Sequence, residues 1–216
     1  MVVELRGDQI PFYKQYVSVL IIIINIIVFI VQLTDPTGNM YVYEAAFVPS
    51  EFFASQKVWT ILSAMFMHAD IMHILMNMWF FYVVADNCEY ALGHALYLIT
   101  YLLSGLCAAL LHAFITTLIP ELMDVPSLGA SGAIFGIIAV YGILFPKNRL
   151  ALFLGYGFVK MSALYFAIFY FILQIVYGLS ELALGGLGGV AYFAHIGGFI
   201  AGAIIAVLFK MYSKKY

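Results

Sequence analysis

Long apolar runs, each closed by a short polar, proline or glycine break, organise this chain. Six of them approach the roughly 20 mostly apolar residues that a helix needs to cross a bilayer core. The first runs from about Tyr16 to Leu33 and contains the unbroken Ile21–Ile24 block. The second runs from about Ile71 to Val84, short unless it continues toward Tyr90. The third covers about Ala95 to Ile119, and the fourth opens at Ser131 and stops at Phe145, before Pro146. The fifth takes in Ala151 to Leu179, long enough to be tilted or irregular, and the sixth about Val190 to Phe209. The pattern predicts an all-α polytopic membrane protein, a bundle of six transmembrane helices. It forms one domain over residues 1–216, with its core at about 16–209. Between the first two runs, Glu51 to Met67 reads as an amphipathic segment at the membrane interface. Gly185, Gly186, Gly188 and Gly189 predict a mobile loop before the last run.

Composition agrees with the pattern. The chain is 65% hydrophobic and 9% charged, against about a quarter charged for a soluble domain. A net charge of −2 provides no basic patch for nucleic acid. Cys88 and Cys107 fit no metal-ligand spacing and fall at different depths, so neither a metal site nor a disulfide is expected. The first apolar run ends without a small-residue cleavage site, which makes it an anchor and not a removable signal. The absence of organelle-targeting features points to a prokaryotic cell membrane.

Lysine and arginine set the orientation. With six spans, both termini share one side, which collects Arg6, Lys14, Lys147, Arg149, Lys210, Lys214 and Lys215. The other side holds only Lys57, with Lys160 uncounted inside the fifth run. Both termini are therefore expected in the cytoplasm. Spans two, four and six then run from outside to inside. His73 and Asn77 fall early in span two, Ser131 opens span four, and His195 lies about 9 Å down span six at 1.5 Å per residue. Four polar groups share the outer third of the membrane.

Polar groups at membrane depth are costly and face the bundle interior or a wet cavity. Ser131 sits in Gly129-Ala130-Ser131-Gly132, where glycines permit close approach of a substrate backbone. It also sits at a helix N-terminus, whose free N–H groups suit a developing oxyanion. His195 can take the serine proton. His73 and Asn77 lie i,i+4 on one helical face and can donate to the same oxyanion. Gly132-x-x-x-Gly136 and Gly198-x-x-x-Gly202 allow spans four and six to approach closely. The reading is a Ser–His dyad, with no acid placed to orient His195.

Singly, these residues have structural uses: a packing serine, an interhelical histidine, and a His73–Asn77 pair gluing spans two and three. His68 reads as an interfacial loop residue, His94 and His112 as structural, Gln174 and Asn25 as interhelical hydrogen-bonders. A transporter would need ionisable groups through both leaflets, whereas this cluster occupies one side. The joint arrangement favours hydrolysis.

These residues resemble the rhomboid family of intramembrane serine proteases, in a minimal six-span prokaryotic form. The likeness rests on His73-Ile-Leu-Met-Asn77, Gly129-Ala-Ser131-Gly132 and Ala194-His195-Ile-Gly-Gly198, in order on spans two, four and six. It implies Ser131 as nucleophile, His195 as general base, and an oxyanion site of His73, Asn77 and the Ser131 backbone N–H. It implies cleavage of other membrane proteins in or near their transmembrane segments, without metal, nucleotide or other cofactor. It further implies lateral substrate access near spans two and five, under a cap at Gly185 to Gly189. A non-catalytic relative that handles membrane clients is the alternative; such proteins lack the dyad. Two departures stand out. The first loop has Trp59-Thr60 where many members have Trp-Arg, which removes an arginine from the loop's anchoring. One turn after the nucleophile stands Phe135 where many bacterial members have tyrosine; stacking can survive, a hydroxyl bond cannot.

Overall fold

The computed structural model describes residues 2–4, 10–153, 155, 157–184 and 189–213. Six longer helices carry the fold: α1 (Tyr16–Gln32), α5 (Ile71–Leu92), α6 (His94–Thr116), α7 (Ser131–Leu144), α8 (Ala163–Leu184) and α9 (Tyr192–Tyr212). Three short helices, α2 (Met40–Ala45), α3 (Pro49–Phe53) and α4 (Thr60–Ser63), lie in the first connection. By length and composition α6, α8 and α9 can cross a membrane. A fourth span results if the segment Thr60–Phe66, bent by 88° against α5, is counted with it. Helices α1 and α7 are apolar but shorter.

Helix α7 is the centre. All but two of its 14 residues are buried, with α5, α6, α8 and α9 packed around it. Small residues make this possible. A Cβ on Gly198 would overlap the Gly132 carbonyl oxygen, and one on Gly202 the Gly136 carbonyl oxygen. The expected small-x-x-x-small contact between the fourth and sixth apolar helices is therefore present, backbone against backbone.

Polar contacts fix which helix ends lie together. At one end, Glu89 of α5 accepts from the Val17 and Ser18 N–H groups at the start of α1, each at 2.8 Å. Those N–H groups have no partner within their own helix, and the carboxylate supplies one across the fold. Glu89 also meets His94 Nδ1 at 2.6 Å, which gives His94 the partner that its sequence context did not suggest. Lys210 of α9 donates to the Ile143 carbonyl of α7 at the same end. At the opposite end, Gln32 bonds the His68 backbone in both directions, at 3.0 and 3.1 Å. Successive long helices thus alternate in direction. Lys14, Lys147, Arg149, Lys160 and Lys210 gather at the first end, and Lys57 at the second. Arg6, Lys214 and Lys215 lie outside the described residues.

The fifth apolar run needs correction. Its first part is not helical. Strands β2 (Arg149–Phe153) and β3 (Phe158–Ser162) form an antiparallel hairpin, and α8 begins only at Ala163. Gly155 (φ +90°) and Gly157 break the run. A third strand, β1 (Val2–Glu4), pairs with β2 in the register Val2↔Leu152. Trp79 Nε1 donates to the Val2 carbonyl at 2.8 Å, and Glu4 accepts from Tyr141 and Asn148. A distant N-terminal strand completes the sheet, a pairing that local apolar content does not encode. Lys160 consequently belongs to the sheet and joins the cation-rich end.

Candidate active site

The first connection builds the floor around the serine. Phe47 and Ser127 exchange backbone hydrogen bonds at 2.9 and 2.8 Å, and the Gly129 N–H donates to the Ala64 carbonyl at 2.9 Å. Lys57 bonds the Tyr43 carbonyl at 2.7 Å and pairs with Glu51 at 3.5 Å. The loop is thus anchored without an arginine after Trp59. Its amphipathic stretch folds as α3, α4 and a 3-10 turn (Ala64–Phe66). Gly129, at φ +127°, turns the chain into α7, a conformation that favours glycine.

Ser131 is the first residue of α7, where N–H groups lack intrahelical partners. His195 lies one turn into α9, buried. Its Nε2 is 2.8 Å from Ser131 Oγ. Sequence separates the two by 64 residues; the glycine contact of α7 with α9 brings them together. The other ring nitrogen, Nδ1, is 2.8 Å from Gln174 Oε1 of α8. An amide oxygen only accepts, so Nδ1 carries the hydrogen and Nε2 accepts from the Ser131 hydroxyl. That is the tautomer a general base requires. Phe135, one turn beyond Ser131, stacks on the imidazole with ring centroids 4.4 Å apart and planes at 11°. The expected ring stacking without a hydroxyl is thus what the structure holds.

His73 and Asn77 come from the first turns of α5. Asp70 caps that helix by accepting from the His73 N–H at 2.8 Å. His73 Nδ1 accepts from the Ala69 N–H at 3.3 Å, which leaves the hydrogen on Nε2. A Cβ on Gly129 would lie 2.9 Å from that Nε2 and 3.7 Å from Ser131 Oγ; glycine keeps the space between them open. Asn77 Nδ2 is buried with no hydrogen-bond partner among the described residues, a donor held in reserve at a cost. Ser131, His195, His73 and Asn77 line one cavity of about 420 Å³. The four predicted catalytic and oxyanion residues therefore share one cavity. Gly132 and Gly198 lie at the helix contact beneath, and Gly202 one turn deeper.

One role escaped the sequence reading. Gln174 was legible as a hydrogen-bonder but not as the partner of His195; a lone amide inside an apolar helix was the available signal. His68 lies in the loop before α5, as expected, with its side chain buried and its ring in an edge-on arrangement with His73 at 5.1 Å between centroids. Of the predicted cap, Gly185, Gly186 and Gly188 lie outside the described residues; Gly189 borders the cavity. Among the described residues, no group of three His, Cys, Asp or Glu side chains could hold a metal ion.

A sequence model of the Rhomboid domain matches residues 55–212, nearly three quarters of the chain. The chain belongs to the rhomboid family. RHOMBOID-like protein 2 of Arabidopsis thaliana is 33% identical over 144 residues, covering 67% of this chain and 40% of that relative. RHOMBOID-like protein 7 of the same plant is 29% identical over 153 residues, 71% of this chain and 43% of the relative. A candidate rhomboid protease of Bacillus subtilis, YdcA, is 34% identical over 88 residues, 41% of this chain and 42% of the relative. The match thus spans less than half the length of these relatives. Family membership and the apolar helices make this rhomboid a multi-pass membrane protein of the intramembrane protease family.

Proposed function

We propose that this rhomboid is an active serine endopeptidase that cleaves peptide bonds in or near the transmembrane segments of other membrane proteins. The observation that carries the reading is the 2.8 Å contact of Ser131 Oγ with His195 Nε2, on a ring whose far nitrogen is held by Gln174. Ser131 attacks the scissile carbonyl as His195 removes its proton. The Ser131 backbone N–H, His73 Nε2–H and Asn77 Nδ2 donate to the resulting oxyanion. The imidazolium returns the proton to the leaving amine, and water, activated by the same histidine, releases the acyl group.

In this proposal six helices span the cell membrane as one domain. The termini and the cation-rich end face the cytoplasm, and the catalytic end lies toward the outside. Helix α7, at 14 residues, is about 21 Å long, roughly 9 Å short of a bilayer core, which supports a nucleophile below the surface. Substrate enters from lipid between α5 and α8, where the Phe80 and Tyr170 rings meet at 5.5 Å.

The test is cleavage of a transmembrane substrate by pure protein in proteoliposomes, with a fluorophosphonate probe mapped by peptide sequencing. The probe is expected on Ser131; labelling of another residue, or inactive wild-type protein that resists labelling, would sink the reading.

Gln174 is a positioning residue in this scheme. Gln174→Leu leaves the Nδ1 hydrogen buried and unpaired, a cost of about 1–3 kcal/mol. The expected result is a roughly ten- to hundredfold fall in kcat with KM little changed. Gln174→Glu, which keeps an oxygen facing Nδ1, should recover most of the rate. Equal kcat for wild type and the leucine variant would remove Gln174 from the mechanism.

A further inference from the structure

A second groove lies at the cation-rich end, where the sheet meets the start of α8. Arg149 stands opposite Ser162, and Ala151 opposite Lys160. Alternate residues on a strand point to one side, so Arg149, Lys160 and Ser162 share a face. As diagonal neighbours on adjoining strands, Arg149 and Lys160 are about 7–8 Å apart at the backbone, close enough for their long side chains to converge on one phosphate. Both are exposed, and neither forms an ion pair among the described residues. Like charges so placed repel, and an anion between them turns the repulsion into two attractions.

The groove, about 660 Å³, continues from these cations onto α8. Its wall there is Tyr165, Ile168, Phe169 and Ile172, spaced i, i+3, i+4 and i+7 as one apolar stripe. Each of the four is at least 40% exposed, on a helix long and apolar enough to span a membrane. A free anion would use the cations and leave the stripe idle. A partner helix would use the stripe and leave two cations unpaired. A phospholipid with a net negative head group uses both. We infer that this groove is a binding site for one anionic phospholipid, its phosphate between Arg149 and Lys160 and an acyl chain along α8.

Native mass spectrometry of the full chain in detergent tests this site independently of proteolysis. Phosphatidylglycerol and phosphatidylcholine with identical acyl chains are the probes. Wild-type protein should retain phosphatidylglycerol in preference to phosphatidylcholine, and Arg149→Ala with Lys160→Ala should reduce that preference on the order of tenfold. Lys14→Ala, in a different part of the cation-rich end, should leave it unchanged, and millimolar inorganic phosphate should not displace the lipid. Where the alanine pair does not fold, Arg149→Gln with Lys160→Gln keeps side-chain bulk and gives the same reading. Equal retention of the two lipids, an unchanged preference in the folded double variant, or displacement by inorganic phosphate would each overturn the inference, the last in favour of a free-anion site.

Discussion

Ser131→Ala protein should leave a transmembrane substrate intact under conditions in which wild-type protein cleaves it completely. Removing the nucleophile of a serine hydrolase costs about 10⁴- to 10⁶-fold in kcat, because the remaining donors can bind an oxyanion that no longer forms. The same change should barely touch the fold. Among the described residues Ser131 Oγ makes one hydrogen bond, to His195, worth about 1 kcal/mol, and alanine is a good residue for a helix start within a packed bundle. Activity and stability therefore separate. A structural serine would show the opposite coupling, with thermal stability falling and residual cleavage scaling with folded protein. Proteoliposome cleavage and thermal unfolding of the same preparation read both quantities. Full cleavage by pure Ser131→Ala protein would end the assignment.

The candidate site was legible because each member breaks a local rule. A serine, two histidines and an asparagine in apolar helices are expensive unless they face one another, and alternating helix direction puts all four at one end of the bundle, on one cavity. The glycine spacing on α7 and α9 was equally readable, since it states which backbones touch. Three things were not readable, each for a physical reason. The hairpin β2–β3 looked like the start of a helix because its residues are as apolar as a span. The two strands pair with each other around Gly155 and Gly157, and their third strand, Val2 to Glu4, lies some 150 residues earlier, a partner that no local pattern records. Gln174 had no sequence neighbour to mark its role; its partner lies on the next helix, and only the packing of α8 on α9 selects it. Glu89 replaces the missing hydrogen-bond partners of the first turn of α1, a need created by another helix's end and recorded nowhere near it in sequence. The first loop is anchored by backbone pairs, Phe47–Ser127 and Ala64–Gly129, and by side chains, among them buried Thr60, whose hydroxyl donates to the Lys57 carbonyl at 2.8 Å.

Gly198→Ala should be the most damaging single methyl group in the molecule. A Cβ there would overlap the Gly132 carbonyl oxygen, with the Ser104 carbonyl oxygen 3.3 Å away. Both neighbours are helix backbone, so no rotamer change relieves the contact, and α9 must move away from α7. Overpacking of a dense core usually costs about 1–3 kcal/mol; a collision with backbone on a three-helix contact should reach or exceed the top of that range. The catalytic consequence is larger than the thermodynamic one. His195 sits three residues before Gly198 on the same helix, so a displacement of α9 by about 1 Å stretches the 2.8 Å serine contact beyond hydrogen-bond reach, and misplacement of that size costs on the order of a hundredfold. Gly157→Ala is the matched control: no atom lies within 4 Å of its added methyl, and stability should stay within about 0.5 kcal/mol of wild type. Thermal unfolding in detergent and the rate of fluorophosphonate labelling at Ser131 measure the two effects. A Gly198→Ala protein that unfolds and labels like wild type would mean that the α7–α9 contact does not hold the dyad together.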